Sequence, residues 1–97
     1  MNQPIKTVCP VYYQDSGHGW LAVKREWLQT LGLEHQITPY SYQRGQTVYL
    51  EEDFDMANFL DCAKGAWWQV NYSSRHTDGR SPIRSYDPYT YDPDSSI

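Results

Sequence analysis

Ser41–Gly65 reads SYQRGQTVYLEEDFDMANFLDCAKG, and this stretch decides the fold class. Its first half holds Thr47, Val48, Tyr49 and Leu50, residue types that suit a pleated, half-buried strand. Arg44-Gly45 separates this run, Gln46 to Leu50, from a second extended run, Ile37 to Tyr42. Glycine takes positive φ without steric cost, so the two runs predict a tight hairpin turning at Arg44-Gly45. In the second half Met56, Phe59, Leu60 and Ala63 fall at i, i+3, i+4 and i+7, which is one apolar face of a helix. Asp53 or Asp55 is placed to cap that helix, and Lys64-Gly65 supplies a cation and a terminator at its other end.

Working outward toward the N-terminus, Thr7 to Tyr13 is rich in β-formers around Pro10. Proline cannot donate to a ladder, so this strand should be an edge or be interrupted there. Gln14-Asp15-Ser16-Gly17 is a turn signal, and Gly19 to Val23 resumes an extended apolar pattern, giving a second hairpin. Trp27, Leu28 and Leu31 then recur at helical spacing, with Gly32-Leu33 as a glycine C-cap and its hydrophobic contact. Toward the C-terminus, Trp67 to Tyr72 alternates as a strand and Ser73 to Arg80 turns polar and loop-like. Ser81 to Tyr86 reads as a short edge strand or an ordered extension. The order β-β-α-β-β-α-β describes an α+β domain over residues 1–86, a mainly antiparallel sheet with two short helices on one face. Residues 87–97, with Tyr86-Asp87-Pro88 and Tyr91-Asp92-Pro93, form a Tyr/Asp/Pro-rich tail whose composition predicts mobility.

The chain has 97 residues, enough for one core and too few for two. Nine Tyr, four Trp and two Phe make aromatic rings the main apolar material, either in the core or facing a partner. The net charge is −4 and no Lys/Arg-rich run occurs, which argues against direct nucleic-acid binding, since that needs clustered cations. Binding to a basic protein surface remains compatible with that charge. Cys9 and Cys62 lack CxxC spacing, and without an apolar signal stretch at the N-terminus they are expected to stay reduced. No run approaches the roughly 20 apolar residues of a membrane helix, so the cytoplasm is the expected compartment and no membrane is expected as a partner.

Candidate chemistry is sparse. Asp15-Ser16-Gly17-His18-Gly19-Trp20 sets a histidine between glycines beside Asp and Ser, which reads first as a turn with a strand-edge histidine and, as the alternative, as a site for acid–base work or metal binding. A metal site there would need His35, His76 or Cys9 to converge from afar. Glu51-Glu52-Asp53-Phe54-Asp55 places four carboxylates in five residues, but without the glycine of an EF-hand loop. Helix capping and solvation account for such acids, and an acidic recognition patch for Arg or Lys of another macromolecule is the functional alternative. Arg75, Arg80 and Arg84 could pair with them within the chain. No dinucleotide, P-loop or nucleophile-elbow motif occurs, so neither a cofactor nor a metal is expected and no catalytic residue stands out. Cys62 lies near the apolar face of the second helix and reads as a buried, inert thiol.

Three segments carry a family likeness: DSGHGWLAVKREWLQTLGL (Asp15 to Leu33), SYQRGQTVYLEEDFD (Ser41 to Asp55) and SPIRSY (Ser81 to Tyr86). Through them the chain resembles small proteins of phages, prophages and plasmids that have no assigned activity. Relatives of that kind carry a Gly-His-x-Trp strand, a short Leu-rich helix, a Tyr-Leu-Glu-Glu-Asp turn and a terminal Ile-Arg-x-Tyr element. Where they have Cys after Glu-Glu-Asp this chain has Phe54, which leaves a thiol-based role there without support. The resemblance implies a mobile-element origin and a bacterial host cell.

Two function classes follow. The first is a non-catalytic accessory protein that binds another protein, inhibition of a host defence complex in the anti-CRISPR manner being one form of it. Small size, acidity, abundant Tyr and Trp, and the lack of a catalytic motif favour it, with self-association left open. The second is a small enzyme or ligand-binding module built on Asp15, His18, Glu51 and Glu52. A deep pocket holding His18 beside a carboxylate favours the second class, and a flat aromatic surface the first. The residues expected to make contact are His18, Trp20, Tyr42, Glu51, Glu52 and Arg84.

Overall fold

In the computed structural model, residues 4–91 are described. The central hairpin forms as β4 (Tyr42–Arg44) and β5 (Thr47–Glu51), with Gly45 at φ 60° in the turn. Its first arm is shorter than expected, because Thr38–Ser41 is drawn into a turn by a buried carboxylate described below. The second hairpin pairs β2 (Val11–Gln14) with β3 (Gly19–Lys24), and β3 also pairs antiparallel with β5. Pro10 interrupts the N-terminal run. Its first part, β1 (Lys6–Val8), pairs parallel with β6 (Trp68–Val70) in a separate two-stranded sheet.

The main sheet has the order β7-β2-β3-β5-β4-β8, with β7 at Ser73–His76 and β8 at Asp87–Pro88. All neighbours are antiparallel except β2 and β7. Strand alternation divides the side chains of this sheet between two faces. Leu21 opposite Leu50 and Val23 opposite Val48 form one face, and all four are essentially inaccessible. Helices α1 (Arg25–Leu31) and α2 (Asp55–Gly65) cover it, packing Leu28 and Phe59 into the same cluster. The fold is therefore α+β with both helices on one face.

Helix α1 ends as its sequence predicts. Gly32 takes φ 70°, and the Leu33 amide donates to the Leu28 carbonyl at 2.8 Å while Leu33 is buried. Helix α2 buries Phe59 and Ala63, with Met56 and Leu60 packed against the core edge. Its N-terminal end differs from expectation. Neither Asp53 nor Asp55 caps it; the N-cap residue is Phe54, and the Glu51 carboxylate accepts the amides of Asp53, Phe54 and Asp55 at 2.8, 2.7 and 2.7 Å. At the other end the helix stops at Gly65 with Lys64 in its last turn, as expected, and Trp67 takes the left-handed position at φ 63°. That conformation costs a non-glycine residue about 1–2 kcal/mol.

One further segment departs from its expected form, and another takes the second of its two expected forms, an ordered extension. Ser73–His76, expected as loop, is edge strand β7, and Pro82–Ser85 is a one-turn 3-10 helix capped by the Ser81 hydroxyl. The expected tail begins later than Tyr86. Asp87 and Pro88 pair with β4, and Tyr89 is buried in the core with its amide donating to the Ser41 carbonyl at 2.8 Å. Residues 92–97 of that tail lie outside the described residues. Among the described residues no helix is long and apolar enough to cross a membrane.

Candidate functional site

Strands β7 and β8 occupy opposite edges of the sheet, so the chain between them must cross it. It crosses the face away from the helices. There the Arg84 guanidinium lies 5.7 Å from the Trp20 ring centre and the Tyr86 ring packs on Tyr49 at 5.2 Å. Ile83 of this crossing strap is buried, as is Trp20 on the sheet.

Asp15 fastens the strap. Its two carboxylate oxygens accept from the Gly17 and His18 amides at 3.0 and 2.9 Å and from the Ser81 amide at 2.9 Å. They also accept from Arg84 Nε and Nη2 at 2.7 and 2.8 Å, a bidentate pair. The Arg84 bonds, helped by the three amides, hold the Asp15 carboxyl far below the usual carboxylate range despite its burial. Asp15 therefore meets His18 through the main chain of that residue, as in the turn reading of this stretch, and the alternative Asp15–His18 acid–base pair does not form. His18 instead lies against Trp20, ring centres 6.1 Å apart.

Beside the strap opens a cleft of about 530 Å³. Trp20, Arg84 and His18 line it together with the acidic turn Glu51–Phe54 and with Thr38, Tyr40 and Tyr42. His18, Trp20, Tyr42, Glu51, Glu52 and Arg84 all line this single cleft. The sheet register explains the gathering: Trp20 stands directly opposite Glu51 in the β3–β5 ladder, and Tyr42 opposite Tyr49 on the next strand. Trp20 and Tyr42 meet edge to face at 6.3 Å and 67°.

The acidic turn is held rigid. Glu51 is pinned by its three amides, and Glu52 Oε2 accepts from the Tyr12 hydroxyl at 2.8 Å. Burial, with the adjoining Glu52 carboxylate, pushes the Tyr12 hydroxyl up to about 12. Gly19 makes that contact possible, because a Cβ there would coincide with the Tyr12 hydroxyl. Asp55 anchors the Thr38–Ser41 turn: its Oδ2 accepts from the Thr38 amide and hydroxyl at 3.0 and 2.7 Å and from the Ser41 hydroxyl at 2.6 Å.

Asp53 of the acidic run also lines the cleft, as do Tyr40, Phe54 and Thr38, which carry no binding signal in the sequence. Tyr40 and Phe54 are 79% and 60% exposed, and an exposed aromatic leaves no periodic trace. No family model, no curated protein and no solved structure matches this chain. The chemistry is therefore read from the geometry alone. Among the described residues no three His, Cys, Asp or Glu side chains gather to hold a metal ion. His76 pairs with Asp78 at 3.3 Å, His35 packs on Tyr91, and Cys9 and Cys62 are free thiols. What the cleft presents is aromatic rings beside fixed carboxylates.

Proposed function

We propose that this chain works as a binding protein and that the cleft beside the strap is its contact surface for another protein. The observation that carries this reading is the position of Tyr40 and Phe54. Both are large, apolar and mostly exposed, and both stand on the rim of the cleft that gathers the six candidate residues. Exposed aromatic rings clustered at one concavity are characteristic of protein contact surfaces. Asp15, the carboxylate best placed by sequence to serve His18 as a catalytic partner, is wholly engaged in holding Arg84 and main-chain amides. The resemblance to mobile-element proteins makes a bacterial host protein the natural partner, a defence complex being one candidate, with the host cytoplasm as the place of action.

A small-molecule module is the second reading, favoured by one observation: the cleft volume lies within the range of about 300–1,000 Å³ typical of ligand pockets. Photo-crosslinking separates the two. A photoreactive phenylalanine analogue at Phe54, in a bacterial host, should give one discrete protein adduct. The same group at Thr30, exposed on α1, should not. Identical adducts from both positions, or none from Phe54, would remove the protein-binding reading.

A further inference from the structure

We propose that the cleft receives a single cationic side chain, lysine or arginine, presented by the protein partner; this rests on the binding reading above and names its chemistry. Charge is the first argument. Glu51, Glu52 and Asp53, consecutive at the end of β5, all line the cleft. Arg84, the cation that also lines it, is already matched by the bidentate pair with Asp15. The uncompensated charge in the cleft is therefore negative, and a cation answers it.

The second argument is the rings. Cations favour the faces of Trp, Tyr and Phe within about 6 Å of the ring centre. Arg84 over Trp20 and Arg44 over Tyr86 at 5.0 Å already show such pairing in this chain. Tyr40, Tyr42 and Phe54 offer a guest further ring surface next to the carboxylates. The third is rigidity. Glu51 and Glu52 are fixed by main-chain amides and by Tyr12, so little ordering is needed when a guest arrives.

The same geometry disfavours other guests. A phosphate or nucleic-acid backbone would face three carboxylates. A neutral apolar side chain would strip water from Glu52 and Asp53 without giving them a partner.

The test uses acetyl-Gly-Arg-Gly-amide, its lysine analogue, and its citrulline analogue, which keeps the shape of arginine without the charge. Each is titrated to millimolar concentration into the isotope-labelled protein while amide and indole resonances are followed. The arginine or lysine peptide should shift the signals of Trp20, Tyr42 and Asp53 saturably, and the citrulline peptide should not. Asp53→Asn together with Glu52→Gln should weaken that binding about tenfold. The glutamine still accepts from Tyr12, and Asp53→Asn alone, at an exposed position, guards against loss of the fold. Equal shifts with citrulline, shifts confined to other surfaces, or none at all would overturn the proposal. If the Phe54 cross-link survives that result, the cleft binds its partner by other chemistry and only the cationic guest is lost. If the cross-link fails as well, both readings fall.

Discussion

Asp15, in the turn between β2 and β3, fastens the strap through one carboxylate. Five hydrogen bonds reach it from two segments of the chain, and the Arg84 bonds keep it ionised far below the usual range. Its pKa is lower folded than unfolded, so the unfolded chain binds more protons as pH falls below about 4. The contribution of Asp15 is thus complete above that pH and declines as pH drops toward the folded value. Asp15→Asn should lower the urea midpoint at neutral pH, and its further fall on acidification to about pH 3 should be smaller than in the parent protein. Parallel losses in the two proteins would show that other carboxylates govern acid unfolding. Gly19 poses a steric question at the same scale. A methyl group there meets the Tyr12 hydroxyl and displaces it from Glu52. Gly19→Ala should cost about 1–3 kcal/mol in urea denaturation, the range for overpacking with loss of a hydrogen bond. An unchanged midpoint would mean that Tyr12 swings aside freely.

Among the elements, the turn from β5 into α2 shows why adjacent acids are not equivalent. Glu51 serves as the cap that Asp53 and Asp55 were expected to supply, whereas Glu52 faces the cleft and Tyr12. Glu51→Ala should destabilise by about 1–2 kcal/mol, as loss of a helix cap does. Glu51→Gln, which keeps one acceptor oxygen, should fall between the two in thermal melts. If Glu51→Ala melts like the parent, water replaces the carboxylate at no cost. The elements that were legible are those whose burial is periodic. Phe59 and Ala63 on α2, and Leu21, Val23, Val48 and Leu50 on the strands, announce their faces because packing selects them. Strand β7 was illegible because all four of its side chains are exposed and only its backbone pairs with β2. Helix α2 ends at Gly65 as its sequence suggested, but the left-handed residue that follows is Trp67, against the local preference of the side chain. The cleft was half legible: His18, Trp20, Glu51 and Glu52 stood out as unusual local clusters, but their meeting depends on β3–β5 register, which no local pattern encodes.

At the scale of the whole molecule, the chain closes on itself through its last described segment. The strap crosses the open face, β8 completes the sheet edge, and Tyr89 turns inward beneath Arg25, its ring centre 5.6 Å from the guanidinium carbon. Its hydroxyl donates to the Glu34 carbonyl at 2.5 Å and its amide to the Ser41 carbonyl at 2.8 Å. Composition concealed this, since a segment of Tyr, Asp and Pro offers no aliphatic residue to mark a core position. Burial of a single ring decides the energetics: Tyr89 is 2% exposed, and truncating a buried aromatic residue costs about 3–5 kcal/mol. That is a large share of the roughly 5–15 kcal/mol of net stability of a small domain. Cutting the chain after Tyr86 should therefore leave it largely unfolded at growth temperature, with Tyr89→Ala reproducing most of the loss. Tyr89→Phe isolates the hydroxyl bond and should cost only about 1 kcal/mol. Circular dichroism melts of the three variants test the ranking. A truncated chain within about 1 kcal/mol of the parent would place the stability of the domain entirely upstream of β8, because no other described contact of 87–91 reaches the core as Tyr89 does.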